Sequence, residues 1–418
     1  MFILEVKGLI LMISKKFFKS VSVKEALDEI SKIASNYSIN TETLEFYNAT
    51  NRVLATDIIS KENIPNFNRS RMDGYAVKFD ETTGSSETMP SIFNIVGNVE
   101  IGSSPTFSIN NGECAYVPTG GEIPKGANSI VMIENTELIS DSELLVYKST
   151  SFNENITLKG EDISINEIVI KKYTKLNSFH IGVLASMGIT EIPVLKKPTV
   201  SIISTGDELV SVYKKNLQGT EIRDINSYCL KSQLENIGCI VNNISIVKDN
   251  YDSLKKEILR TIDNSDFIIM SGGSSVGERD YMNALLAELG EVLFHGIRMK
   301  PGKPVLFGTI NNKAFFGLPG NPVSCALAAE LYVSSFVFSL NNINNKKLFG
   351  NFKLDTNLHS FPGKTTFQMV DINDGVASPI MGRSSMIKML ANSKGYIEID
   401  ESIEGLYKDS DVNVTLFK

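Results

Sequence analysis

At 418 residues the chain exceeds what one hydrophobic core supports, and an apolar share of 42% with 21% charged residues leaves no large disordered region, so a multidomain globular protein is expected. A net charge of −7 excludes a general nucleic-acid binder, because such proteins need a basic face to displace counterions from phosphates. Cys114, Cys229, Cys239 and Cys325 are scattered without Cys-x-x-Cys spacing and there are only three histidines, which indicates neither a disulfide framework nor a zinc site and points to a reducing cytoplasm.

The apolar stretch 2–13 is interrupted by Glu5 and Lys7 and has neither the length of a membrane span nor a small-residue cleavage site, so no membrane attachment is expected. Translation is expected to begin at Met12 in place of Met1, since the lysine-rich 14–19 leads straight into the first clear helix. That helix opens with Ser22-Val23-Lys24-Glu25, a capping-box pattern, and carries Val23, Ala26, Leu27, Ile30 and Ile33 on one face. Residues 64–145 are rich in Gly, Pro, Thr and Asn with short β-prone runs and read as a β domain inserted into a mixed domain made of 14–63 and 146–195. From 196 the pattern is regular: strand 200–204, helix 227–236, strand 240–247, helix 254–261, strand 267–270, helix 281–289. This alternation predicts a doubly wound, mostly parallel α/β domain over 196–340. A helix at 323–340 and a polar linker at 341–347 then lead to a small β domain that ends the chain, 341–418.

Four loops carry chemistry. Ser271-Gly272-Gly273-Ser274-Ser275-Val276-Gly277, ending in Asp280, turns from a strand into a helix through glycines and exposes backbone N–H groups suited to an anion. Ser204-Thr205-Gly206-Asp207-Glu208-Leu209 lies at the carboxyl end of the first strand of the α/β domain, where open sheets form their ligand crevice. Its adjacent acids suit Mg²⁺, or else form a solvated turn with Asp207 as a cap; Asp249 and Asp280, after other strands of the same domain, favour the first reading. Lys300-Pro301-Gly302-Lys303-Pro304 sets two cations in a loop stiffened by proline. Gly317-Leu318-Pro319-Gly320-Asn321-Pro322-Val323-Ser324 is a helix start, with Asn321 as cap and Pro322 in the first turn, and the same start is an anion site.

These loops, with Ser70-Arg71-Met72-Asp73-Gly74-Tyr75-Ala76, Pro118-Thr119-Gly120 and Gly160-Glu161-Asp162 upstream, resemble the molybdopterin molybdenumtransferases, known as MoeA in bacteria and as the E domain of gephyrin in animals. The matches span 70–324 in the family's order. The resemblance implies that the α/β domain is of the molybdopterin-binding type, that the mixed domain serves dimerisation, and that molybdate displaces AMP from adenylylated molybdopterin in a Mg²⁺-dependent reaction. Glu208, Asp249 and Asp280 would then serve metal and substrate at the anhydride, and Lys300 and Lys303 would neutralise the pterin phosphate or the incoming oxyanion. Ser271, Gly272, Gly273, Ser275, Pro319, Asn321, Pro322 and Ser324 would line the substrate. A homodimer is implied, with Asp73, Thr119 and Asp162 reaching substrate across the cleft from the partner copy, and with the product passed to molybdoenzymes or their chaperones.

The chain departs from the family pattern in places. Gly296 stands where an arginine or lysine is common, Lys159 alone precedes Gly160-Glu161-Asp162, and Lys364 replaces an arginine, losing its planar fork. Arg383-Ser384-Ser385 matches a serine-rich loop only loosely, which makes the oxyanion end with Lys364, Arg383 and Ser384 the least constrained part. Two rivals are kept: an adenylyltransferase that activates molybdopterin, whose single-domain members lack the β insertion, and a noncatalytic dimeric scaffold. Charges gathered at Glu208, Asp249, Asp280, Lys300 and Lys303 speak against the scaffold.

Overall fold

A computed structural model of the chain describes residues 20–272, 281–343 and 347–417. It divides into two compact units, Thr43–Val194 and a unit made of Met1–Glu42 with Leu195–Lys418.

The second of these is built on a six-stranded sheet. Its strands are β1 (Thr199–Thr205), β2 (Ile240–Val247), β3 (Phe267–Ser271), β4 (Gly290–His295), β5 (Leu306–Ile310) and β6 (Lys313–Leu318). They lie in the order β2-β1-β3-β6-β5-β4, with β2, β1, β3 and β6 parallel and β5 antiparallel to both of its neighbours, β6 and β4. The chain runs outward from β1 to β2 and returns past β1 to β3, so the strand order reverses between β1 and β3, the position at which such sheets open a crevice. Alternation sends side chains to two cores: Val200, Ile202, Phe267 and Ile269 to one face, Ile203, Ile268 and Met270 to the other.

The second face is covered by α3 (Tyr251–Ile262) and α4 (Tyr281–Leu289), through Leu254, Ile258, Leu285 and Leu286. The first is covered by α2 (Asn226–Asn236) and by the apolar run Pro322–Leu340. Expected as one helix, that run is α5 (Pro322–Ala328) and α6 (Ser334–Leu340) joined by a π turn at Ala329–Val333. It is long and apolar enough to cross a membrane, yet 83% of its most apolar window is buried within the protein, as befits a core helix.

The opening helix, α1 (Val23–Ser35), has the expected capping box: Ser22 Oγ accepts from Glu25 N at 3.2 Å and Glu25 Oε2 accepts from Ser22 N at 2.6 Å. Its place differs from the mixed domain 14–63 plus 146–195 expected from sequence. Ala26, Ile30 and Ala34 share a core with Phe336 and Val337 of α6, so α1 belongs with the α/β sheet. Periodicity fixed its apolar face but not the surface that receives it.

The C-terminal segment forms strands Phe349–Leu354, Thr365–Asn373, Val376–Pro379, Gly395–Ile399 and Asp411–Leu416, closed into a barrel by the pairing of Thr365–Asn373 with both Val376–Pro379 and Gly395–Ile399. Met299–Lys300 adds to its edge in parallel register, Lys300 opposite Thr366.

The unit Thr43–Val194 holds another six-stranded sheet, in the spatial order Ser129–Met132, Gly74–Val77, Glu113–Val117, Ser91–Asn98, Glu143–Val146, Thr136–Ser140. Beside it a small core of Leu54, Ile58, Ile170, Leu184 and Ile192 surrounds the helix Ser178–Ser186.

Candidate active site

Because β1, β2, β3 and β6 are parallel, their carboxyl ends reach one edge of the sheet, and the loops that follow them line one cleft of about 580 Å³. From β1 come Thr205, Gly206 and Glu208; after β2 comes Asp249; β3 ends in Ser271 and Gly272; after β6 come Pro319, Gly320, Asn321 and Pro322. That volume suits a ligand of nucleotide size.

Two glycines shape the edge. Gly272 has φ +95°, and a Cβ there would lie 2.2 Å from the Thr205 carbonyl oxygen, so only glycine allows β3 to pass this close to the β1 loop. At Gly206 a Cβ would meet both Glu208 carboxylate oxygens at 2.9 Å, which shows the Glu208 carboxylate folded over its own loop. Asp249 is anchored beside it: its Oδ1 accepts from Thr205 Oγ1, and its N–H donates to Asp207 Oδ1 at 3.3 Å.

Several donors that looked free in the sequence are used within the protein. Gly272 N donates to Leu318 O at 3.2 Å, Val323 N donates to Ser384 O at 3.0 Å, and Pro322 has no N–H. The start of α5 therefore offers less to an anion than its sequence implies, and Ser384 meets the helix through its carbonyl. The neighbouring Ser385 lines the cleft, while Ser324 is buried beneath it.

Lys300, Lys303, Lys364 and Arg383 do not line this cleft; only Pro304 of the lysine loop does. Lys300 is drawn to the barrel edge, its Nζ 2.9 Å from the centre of the Phe361 ring. Partial burial, and then the charge of Lys364, hold its ammonium below the ordinary lysine range. Lys303 and Lys364 are exposed, and the repulsion between Lys300 and Lys364 is relieved by an anion placed between those two. Arg298 is spent on structure, donating from Nη1 to Ser20 O at 3.1 Å with its Nε 3.5 Å from Glu401.

Glu208 and Asp249 are two of the three expected metal ligands. Asp280, like Gly273 and Ser275, lies outside the described residues, and among the described residues no group of three metal-ligating side chains occurs.

Three family descriptions match the chain in sequence order: MoeA N-terminal region (domain I and II) over residues 21–188, probable molybdopterin binding domain over 201–338, and MoeA C-terminal region (domain IV) over 351–417. A molybdopterin biosynthesis protein of Methanocaldococcus jannaschii is 36% identical over 410 residues, covering 95% of each chain. The chain belongs to the MoeA family. A molybdopterin molybdenumtransferase of Haemophilus influenzae is 35% identical over 304 residues, 73% of this chain and 74% of its own. The crystal structure of the MoeA protein of Pyrococcus horikoshii superposes with a TM-score of 0.82 at 31% identity, covering 96% of this chain and all of that one.

The part matched by the MoeA N-terminal region carries the other expected residues. Asp73 Oδ1 accepts from Thr119 N at 2.7 Å and from Thr119 Oγ1 at 3.0 Å, and those bonds, backbone first, lower its pKa. Asp162 is exposed, next to Glu161, which is ion-paired with Arg71. Sequence reasoning missed Asp224 and Asn226 and gave no role to Pro304 and Ser385 within loops it had singled out; all four line the cleft of this MoeA-type chain. Asp224 had a readable signal: it stands three residues before Ser227 at a helix start, and its Oδ1 accepts from Ser227 N at 3.1 Å.

Proposed function

We propose that the chain is a molybdopterin molybdenumtransferase, taking adenylylated molybdopterin and molybdate and releasing AMP with molybdenum cofactor. The observation that carries this reading is the convergence of Glu208, Asp249, Ser271, Gly272 and the 319–322 loop on one cleft in a MoeA-family chain.

Mg²⁺ fits the donor set: it commonly takes one or two carboxylates together with substrate phosphates, and Glu208 and Asp249 both line the cleft. When bound, it would neutralise charge building on the anhydride oxygens. The protein's own groups hold the geometry. Thr205 fixes Asp249, Gly206 leaves room for the folded Glu208 carboxylate, and Gly272 lets the backbone of β3 approach. Lys300 and Lys364, whose charges act on each other, are assigned to the oxyanion, and Lys303 is assigned with them from the family resemblance. Asp280, Gly273 and Ser275 are assigned to the same site from the family resemblance. Asp73, Thr119 and Asp162 are assigned to substrate contact in a homodimer. No side-chain nucleophile is required, because anhydride cleavage rests on positioning and charge neutralisation.

The test is to incubate the purified protein with adenylylated molybdopterin, Mg²⁺ and molybdate and to follow AMP. Stoichiometric AMP release that stops when EDTA removes the metal is expected. Formation of adenylylated molybdopterin from ATP and molybdopterin instead would make the chain an adenylyltransferase.

A further inference from the structure

Ser204, Ser227 and Ser271 form a buried hydroxyl cluster behind the cleft, and its proton count has a definite answer. Ser204 Oγ lies 3.1 Å from Asp224 Oδ1, 2.8 Å from Ser227 Oγ and 3.1 Å from Ser271 Oγ. Asp224 Oδ1 already accepts from the Ser227 backbone N–H, so it is an acceptor and Ser204 must donate to it. A hydroxyl has one proton. With that proton committed, the two remaining contacts at Ser204 require Ser227 and Ser271 to donate inward. Asp224 is 2% exposed, Ser204 and Ser227 are 0%, and Ser271 is 1%, so water does not reorder the chain. Asp224 Oδ2 has no hydrogen-bond partner among the described residues, which leaves the carboxylate nothing else to organise.

Ser271 lines the cleft with its proton turned away, so only its lone pairs face a ligand. Next to it the Gly272 N–H is spent on Leu318 O, and Asn226, whose Nδ2 donates to Gly320 O at 2.9 Å, has an oxygen that accepts from no donor among the described residues. Among the described residues, Ser271 and Asn226 present acceptors on this wall, and the Arg223 guanidinium on the same cleft is turned to the Lys214 and Lys215 carbonyls.

We infer that Asp224 and Ser204 are positioning residues that fix Ser271 as a hydrogen-bond acceptor, so that this wall, with Asn226, reads a neutral O–H or N–H donor on the nucleoside part of the substrate. The inference rests on the nucleotide reading above and assigns the wall to the nucleoside, leaving the phosphates to the Glu208 and Asp249 side. The donor is a ribose hydroxyl or the exocyclic amine of the base, which share this chemistry.

The experiment titrates the full-length protein by calorimetry with AMP, 2′-deoxy-AMP, 3′-deoxy-AMP and inosine monophosphate, the last lacking the amine. The wild type is expected to bind AMP about tenfold more tightly than the analogue that lacks the donor being read. Ser271→Ala should weaken AMP to the level of that analogue and leave the analogue unchanged. Ser204→Ala, which frees the Ser271 proton to turn, should also narrow the preference, whereas a purely structural role would weaken all four ligands alike. Preference unchanged in both variants, a difference seen only with Mg²⁺ present, or equal wild-type affinity for all four overturns the inference. If any of these is seen while the wild type still releases AMP in turnover, the inference alone fails. If it neither binds AMP nor releases it, the nucleotide reading fails as well.

Discussion

Gly272 combines a left-handed φ with a neighbouring carbonyl that leaves no room for a Cβ. Gly272→Ala should therefore cost about 1–3 kcal/mol in stability and displace the β3 loop from the β1 loop. The check is thermal unfolding read alongside AMP release, and a variant with both intact would falsify the packing argument. Glu208→Gln and Asp249→Asn keep shape and remove charge. Each should lower turnover about a hundredfold with little change in melting temperature, raising the Mg²⁺ concentration needed for half-maximal rate. Turnover unaffected in both would remove the carboxylates from the mechanism.

His295, on β4, makes a prediction of opposite character, because it concerns folding and not chemistry. Burial pushes its pKa down from 6.5 to about 4. Above 6.5 the imidazole is neutral in both states and contributes no pH dependence. As pH falls from 6.5 towards 4, the unfolded chain takes up the proton and the folded one does not, so stability is lost across that window. Denaturant melts at pH 7 and pH 5 should differ by about 1–2 kcal/mol more in the wild type than in His295→Gln. Equal differences in the two proteins would show that His295 carries no such linkage.

At the scale of elements, the sheet stands on an aromatic cluster. Phe316 on β6 is fully buried, with ring centroids 4.8 Å from Phe307, 5.4 Å from Phe336 and 6.2 Å from Phe267. Phe316→Ala should destabilise this unit by about 3–5 kcal/mol, through lost transfer energy and the cavity left behind. A change below about 1 kcal/mol in the first denaturant transition would mean that the core collapses around the gap. The lysine loop behaves as part of the barrel, since Met299–Lys300 pairs with Thr365–Thr366 and Lys300 rests on Phe361. Phe361→Ala should loosen Lys300 and raise the molybdate concentration required for turnover, leaving AMP affinity unchanged. Loss of AMP affinity instead would place Lys300 on the nucleotide.

For the whole molecule, the prediction is assembly. Sedimentation of the purified chain should give twice the monomer mass of 46.0 kDa, and a monomer active in turnover would remove the assigned contribution of Asp73, Thr119 and Asp162 from a partner copy. Complementation between an Asp73→Asn chain and an Asp249→Asn chain gives a sharper reading. If active sites are shared between copies, an equal mixture of the two should recover about a quarter of the wild-type rate, as one intact site in each randomly formed mixed dimer implies.

Much of the architecture is legible in the amino-acid sequence alone. Periodicity and caps place strand 240–247 and helix 281–289 to the residue, and the other strands of the parallel sheet nearly so, since a buried parallel strand is a continuous apolar run and a helix start must satisfy its own N–H groups. The loop motifs locate Glu208, Asp249, Ser271, Gly272 and the 319–322 turn, because glycine, proline and paired acids are demanded by local backbone and charge. Tertiary structure decided the rest. It seated α1 on α6, drew Lys300 to the barrel, occupied the amides of Gly272 and Val323, and gathered Asp224, Ser204 and Ser227 behind Ser271. Each of these depends on which partner a group finds across tens or hundreds of residues, and hydrogen-bond polarity is a property of the pair that no single position in the sequence carries.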